Sequence, residues 1–363
     1  MNNERAAVIS EIERVLLNYD LGELYDVERN DRGYNNISYA IQTIINDEIK
    51  KYFFRQYKLG IQHSEIEFEH SVINHLIDKE FSLVARVFET RQGPTYSAMF
   101  LEGEFNSPIF YAIFDFLDGE DKYTWIDPKC SELEIKNAAR VLAEFHNAVA
   151  DITCIGERFE PKILDLLPQI SQNVLTSLKK SKSTKFDEYL AEHKQLILDN
   201  CLATQESLNS SISSEWPEIV IHCDYHPGNL KFRGEEVVGL FDFDWSKVDL
   251  RCFDFALACW YFFSGWKDEQ DGVLRLDGFH LFLEVYQAAL ADLPHLDPLN
   301  KSEIEHLGMM ISAGNLYVLN WTIQDFYQIE ADVDEYLVYL RHSINFMRWF
   351  EKFGLDSIQK SLV

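Results

Sequence analysis

The chain has 363 residues, 60 acidic against 33 basic, for a net charge of −27. That acidity argues against nucleic acid, whose binding proteins present basic patches to the phosphates, while the length allows two lobes with sizeable cores. Six cysteines without a C-x-x-C pair read as free thiols in a reducing compartment. No signal peptide is visible, since Glu4 and Arg5 interrupt the start. The longest uncharged stretch, 307–324, includes Asn, Ser, Thr and Gln and reads as a buried helix. A cytoplasmic protein with no membrane or nucleic-acid partner is expected.

Val8, Ile12, Val15 and Leu16 recur at helical spacing and predict an N-terminal helix, with a connector reaching residue 30. Residues 36–45 and 49–57 read as strands joined by a turn at Asn46-Asp47. On the second strand Lys51, Phe53, Arg55 and Tyr57 share one face. Ser64-x-x-Glu67 reads as a capping box opening a helix. Glu69 falls within that helix's apolar stripe of Ile66, Ile73 and Leu76. A carboxylate on a buried face needs a partner, and Arg55 is the candidate; a solvated Glu at the stripe's edge is the alternative. Residues 111–116 form an apolar run leading into Asp115-Phe116-Leu117-Asp118-Gly119.

From Ser131 the chain reads as mainly helical. Ser131-x-x-Glu134 is a second capping box, and His146, near the stripe that follows, reads as a packed helix residue. Residues 160–215 are polar and helical, with a loop at 179–185. Tyr261, Trp266, Tyr317, Trp321, Tyr327 and Trp349 concentrate aromatics in the last hundred residues. Helical core packing is expected of them, with an aromatic cage for a quaternary ammonium as the alternative.

The most informative stretch is I-V-I-H-C-D-Y-H-P-G-N-L-K-F-R-G-E-E-V-V-G-L-F-D-F-D-W, residues 219–245. Residues 218–222 read as a buried strand, and Pro227-Gly228 marks a turn. Residues 230–232 and 237–241 form a predicted hairpin around Gly234-Glu235-Glu236. This hairpin is expected to return Asp242 beside Asn229, so that an amide oxygen and a carboxylate hold Mg²⁺ on phosphates. Asp224, on the preceding loop, would orient an acceptor hydroxyl and take its proton. Singly, each of these residues reads as turn-forming or strand-capping; jointly they fit phosphoryl transfer from Mg·ATP.

Residues 222–229, His-Cys-Asp-Tyr-His-Pro-Gly-Asn, resemble the H-G-D-x-H-P-G-N loop of the aminoglycoside phosphotransferase, choline kinase and type II homoserine kinase superfamily. Phe241-Asp242-Phe243-Asp244 is similar to its I-D-F-[DEG] metal loop, and Phe253-Asp254-Phe255-Ala256 to the Y-D-L-A that follows. Cys223 replaces the usual Gly, and Asp244 stands where protein kinases have Gly. The resemblance implies an α+β, protein-kinase-like two-lobed fold. Its small strand-rich N-terminal lobe would span residues 1–118 and its larger, mainly helical C-terminal lobe residues 119–363. It implies ATP bound between the lobes, with Arg55 and Glu69 at the phosphates. Gly33 and Asn36 would lie in the short phosphate-covering turn, and backbone groups of Asp115 and Leu117 at adenine. His222 and Asp254 would brace the catalytic loop. The expected acceptor is a small hydroxylated metabolite, an amino alcohol such as homoserine or choline, with an aminoglycoside as the rival. A protein kinase fits poorly, because Asp254 follows Asp242 by only twelve residues and no A-P-E segment follows. A nucleotide-binding pseudokinase is the rival of another class, motivated by the departures at Gly33, Arg55 and Cys223.

Overall fold

The computed structural model describes residues 2–30, 36–100, 108–329 and 331–361. The chain forms two compact units. The first comprises residues 1–119, 152–159 and 239–244; the second comprises 120–151, 160–238 and 245–363.

The first unit opens with helix α1 (Asn2–Leu16), followed by strands β1 (Glu23–Asn30), β2 (Ile37–Ile45) and β3 (Glu48–Gln56). Helix α2 (His63–Asp78) and strands β4 (Ser97–Met99) and β5 (Ile109–Asp115) complete it. The sheet is antiparallel in the order β1-β2-β3-β5-β4. Asn46 and Asp47 both take left-handed φ, 51° and 65°, the conformation that a two-residue hairpin turn requires and that these side chains tolerate. Strand β1 occupies what the sequence reads as connector. A register shift between Leu24 and Asp26 breaks its alternation, and its charged residues face solvent, so it carries little strand signal. Tyr39, Ile41, Tyr52, Phe54, Tyr111 and Ile113 pack against Ile12, Val15 and Leu16 of α1 as one core. The other face of β3 carries Phe53 and Arg55. Helix α2 starts earlier than the expected Ser64/Glu67 box: the Gln62 N–H donates to Glu65 Oε2 at 3.1 Å. Ser64 Oγ instead accepts the Glu157 N–H at 2.8 Å.

In the second unit α3 (Glu132–Ala148) is capped by Ser131, whose Oγ accepts the Glu134 N–H while its own N–H donates to the Glu134 carboxylate. Helices α4 (Ile163–Leu178), α5 (Lys185–Ser207) and α6 (Ser210–Ser213) lead to β6 (Glu218–Ile221). Strands β7 (Leu230–Arg233) and β8 (Glu236–Leu240) form the expected hairpin, and the chain leaves this unit within β8. Strand β9 (Lys247–Leu250) pairs antiparallel with β6. Its Lys247 and Asp249 hide it in the sequence, yet both are buried and pair at 3.1 Å. Helices α7 (Arg251–Phe263), α8 (Leu276–Ala291), α9 (Lys301–Gln328), α10 (Val333–Trp349) and α11 (Leu355–Ser361) follow. Every residue of α7 is buried. Among the described residues no helix is long and apolar enough to cross a membrane.

Candidate active site

In the first unit the side chain of Arg55 divides its guanidinium between two carboxylates. Nη1 donates to Glu69 Oε1 at 2.8 Å and Nη2 to Asp242 Oδ1 at 3.1 Å. A planar fork can serve two acceptors at once in fixed directions, which a Lys ammonium does not do with the same geometry. Burial alone would lower the Arg55 pKa, but Glu69 and Asp242 outweigh it and hold the group charged. Burial raises the Glu69 carboxyl, and Arg55 opposes it. Behind this pair the Tyr57 hydroxyl donates to Glu69 Oε2 at 3.0 Å and lies 2.9 Å from His70 Nε2. His70 Nδ1 lies 2.6 Å from Thr95 Oγ1. Burial, then the charge of Arg55, push His70 down to about 3, so its single N–H goes to the Tyr57 oxygen and Nδ1 accepts from Thr95.

Asn36 ties three segments of this unit together. Its amide N–H donates to Asp244 Oδ2 at 2.8 Å, and its Oδ1 accepts the Lys58 N–H at 3.0 Å. Gly33 lies outside the described residues. Asp115 closes β5, and its N–H donates to the Arg86 carbonyl at 2.8 Å, so towards a base it can offer an acceptor and not a donor. Leu117 lies beyond the last paired residue of the strand. Asp242 takes a left-handed φ of 70° at its tight turn.

The second unit carries the loop that follows β6. Asp254, on the first turn of α7, is fully buried. Its Oδ2 accepts the His222 N–H at 2.9 Å and its Oδ1 the Cys223 N–H at 2.8 Å. His146 Nε2 lies 2.9 Å from the same carboxylate, and its Nδ1 lies 2.6 Å from the Tyr286 hydroxyl. The packed helix residue of the sequence reading is thus also a polar partner of Asp254. One carboxylate therefore satisfies two backbone donors where the chain leaves the strand. Cys223 takes φ 63°, a left-handed conformation that explains the Gly expected there and is uncommon for a residue with a Cβ. The Tyr225 hydroxyl donates to the Ala138 carbonyl at 2.7 Å, fixing the loop to α3.

Asp224 is held by its neighbours on this loop. The Asn229 amide N–H donates to Asp224 Oδ2 at 2.8 Å and to the Asp224 carbonyl at 2.9 Å. That use of the NH₂ group leaves the Asn229 amide oxygen as a hard acceptor of the kind Mg²⁺ takes. His226 Nδ1 accepts the Gly228 N–H at 3.0 Å, which turns Nε2 towards Asp224 Oδ2, 3.4 Å away. Burial would raise the Asp224 carboxyl. The charge and hydrogen bond of His226, with His222 and the Tyr261 hydroxyl, outweigh it and hold the group below its usual 3.8. Sequence reasoning assigns the second histidine of the motif no separate role, and it assigns Tyr261 on α7 to core packing, or to a share in an aromatic cage, rather than to a place beside Asp224. The spacing His226-Pro227-Gly228 is the signal for the first; nothing local marks Tyr261.

The Asn229 amide oxygen of the second unit and the Asp242 carboxylate of the first are each hard oxygen donors. Among the described residues no three His, Cys, Asp or Glu side chains cluster as a metal-binding group. Mg²⁺ on a nucleotide characteristically takes only one or two protein ligands.

These features are those of a protein-kinase-like phosphotransferase. Residues 26–291 match the phosphotransferase enzyme family, and the chain belongs to it; it is a small-molecule kinase and uses ATP. Over 342 residues it is 25% identical to a homoserine kinase of Parvibaculum lavamentivorans, covering 91% of this chain and 92% of that protein. A microcompartment-associated aminopropanol kinase shares the fold at a TM-score of 0.70 and 15% identity, covering 98% of this chain and all of that one. A Plasmodium vivax ethanolamine kinase does so at 0.59 and 15%, covering 92% and 84%.

Proposed function

We propose that this kinase transfers the γ-phosphoryl group of Mg·ATP to the hydroxyl of a small amino alcohol. The observation that carries the reading is Asp224. Its carboxylate is held ionised, below the usual range, by His226 and Tyr261 and is oriented by the Asn229 amide. So weak a base is suited to accepting a hydrogen bond from the acceptor hydroxyl. It takes the proton late, as the bond to phosphorus forms and that to the leaving oxygen breaks, which is what a loose phosphoryl-transfer transition state needs.

Asn229 and Asp242 are assigned as the Mg²⁺ ligands, and the ion would offset charge on the phosphates. Arg55, held by Glu69, is assigned to the phosphates. Asn36, which bonds to Asp244 and to the Lys58 N–H, is assigned with Gly33 to the phosphates. The Asp115 carbonyl and the Leu117 backbone are assigned to adenine. His222 and Asp254 brace the catalytic loop. The N-terminal lobe is assigned residues 1–118 and the remainder the acceptor-binding lobe, in the cytoplasm.

The substrate class is supported by the named acceptors of the similar proteins: homoserine, aminopropanol and ethanolamine all carry one hydroxyl and one amine. An aminoglycoside acceptor is the second reading, favoured by a solved aminoglycoside phosphotransferase with a TM-score of 0.62. The test is ADP release by purified protein with Mg·ATP and, in turn, homoserine, 1-amino-2-propanol, ethanolamine, choline and kanamycin. Turnover with an amino alcohol is expected. Turnover with kanamycin alone would transfer the assignment to the second reading, and ATP binding with no turnover on any alcohol would favour a nucleotide-binding regulatory module.

A further inference from the structure

In the second unit the indole of Trp125 is surrounded by rings. Its centroid lies 4.6 Å from Tyr339, 5.1 Å from Trp266, 6.2 Å from Tyr261 and 6.5 Å from Trp321. Three of the four contacts are edge-on, the geometry of direct aromatic packing. The walls come from α7 (Tyr261), the turn after it (Trp266), α9 (Trp321) and α10 (Tyr339). Trp125 comes from a segment with no helix or strand. The chamber is thus built on helices and filled from a loop.

Two observations connect this chamber to the reacting end of the catalytic loop. Tyr261 faces Asp224 and packs on His226 at 5.2 Å. A Cβ added at Gly228 would come within 3.1 Å of the Thr124 backbone, so the segment carrying Trp125 lies directly on the catalytic turn. Carboxylates bond to the side chains around these rings. The Tyr339 hydroxyl donates to Glu335, His342 stacks on Trp266 at 3.6 Å, and His342 Nδ1 lies 2.6 Å from Asp271 Oδ1. The segment is tied down through Asp127, 3.2 Å from Lys267 and 3.9 Å from Lys129. Both lysines are largely exposed, so these tethers are weak.

We propose that Trp125 is the residue that selects the acceptor. Its indole fills an aromatic chamber beside Asp224, restricts the acceptor to short alkylammonium alcohols, and excludes those with bulkier ammonium groups. This rests on the reading of Asp224 as the carboxylate that meets the acceptor hydroxyl. Rings with acidic neighbours attract alkylammonium groups, and removing the indole leaves room for one.

The test compares wild type with Trp125→Ala and Trp125→Phe, using ethanolamine and choline as the small and bulky acceptors. The expected result is a shift of the kcat/KM ratio towards choline by at least ten-fold in Trp125→Ala, carried by KM, with Trp125→Phe close to wild type. An equal change for both acceptors would overturn the proposal. Calorimetry with tetramethylammonium chloride reads the chamber without turnover. Binding at least ten-fold tighter to Trp125→Ala than to wild type is expected, and equal binding overturns the assignment. If neither amino alcohol is phosphorylated but this difference is found, the amino-alcohol reading fails and the chamber stands. Should Trp125→Ala lose its cooperative melt, Trp125→Leu carries the same comparisons.

Discussion

His226 Nε2 stands 3.4 Å from Asp224 Oδ2, and the same ring fixes its orientation by accepting the Gly228 N–H through Nδ1. This contact heads the influences that keep the Asp224 carboxyl below its usual value against the opposing effect of burial.

Replacing His226 by Ala therefore has a predictable sign. The Asp224 pKa rises towards the value that burial favours, so the acid limb of the kcat/KM profile moves to higher pH. Wild type is expected to reach the midpoint of its Asp224-linked loss of activity only below the usual carboxyl value of 3.8, since the group is held below it. A pH–rate profile with the preferred acceptor checks this; an unmoved acid limb in the variant counts against the role given to His226.

Asp224→Asn preserves size and loses the charge. The rate is expected to fall by about 10²-fold or more while ATP affinity stays near wild type, the magnitude of a lost general acid–base group. Single-turnover kinetics with equilibrium nucleotide binding separate the two quantities. Near wild-type turnover would remove Asp224 from the base role.

Glu69→Ala leaves Arg55 with Asp242 as its remaining carboxylate partner in the network described and strands a buried charge. Removing one partner of a buried pair costs about 3–5 kcal/mol, and the contact to Asp242 retained by Arg55 places the expected loss at the lower end. Urea denaturation measures it, and the KM for ATP should rise in parallel. A midpoint within error of wild type would show that the pair is not structural.

Asp254→Ala removes the acceptor for the His222 and Cys223 N–H groups and a partner of His146. Each unsatisfied buried donor costs about 1–3 kcal/mol, so a loss of at least about 2 kcal/mol is expected, with faster hydrogen exchange at residues 222 and 223. Asp254→Asn retains one acceptor oxygen and should lie between the two. Unchanged exchange at both amides in the Ala variant would contradict the bracing.

Asp242→Ala should weaken nucleotide binding only when Mg²⁺ is present. Calorimetry of ATP with and without the ion reads the difference, and an unchanged Mg²⁺ dependence would exclude Asp242 as a ligand.

The chemistry of this protein was legible in residues 222–256 because the relevant groups are close in sequence. A loop of eight residues and a tight hairpin keep these side chains in fixed order along the chain, and oxygen donors in that order are the pattern expected for a hard cation and a phosphoryl group. The family, the helical second half and the Arg55–Glu69 pair followed from that motif and from local periodicity. Other features depended on contacts between distant positions. Strand β1 is polar and bulged, and β9 carries a buried Lys and Asp that satisfy each other; neither shows an apolar pattern, since pairing rather than composition makes them strands. The division of Arg55 between Glu69 and Asp242, the use of His146 on Asp254, and the rings around Trp125 join residues from 14 to 214 positions apart. Amino-acid order limits which groups such contacts can use, but packing alone decides which of them meet.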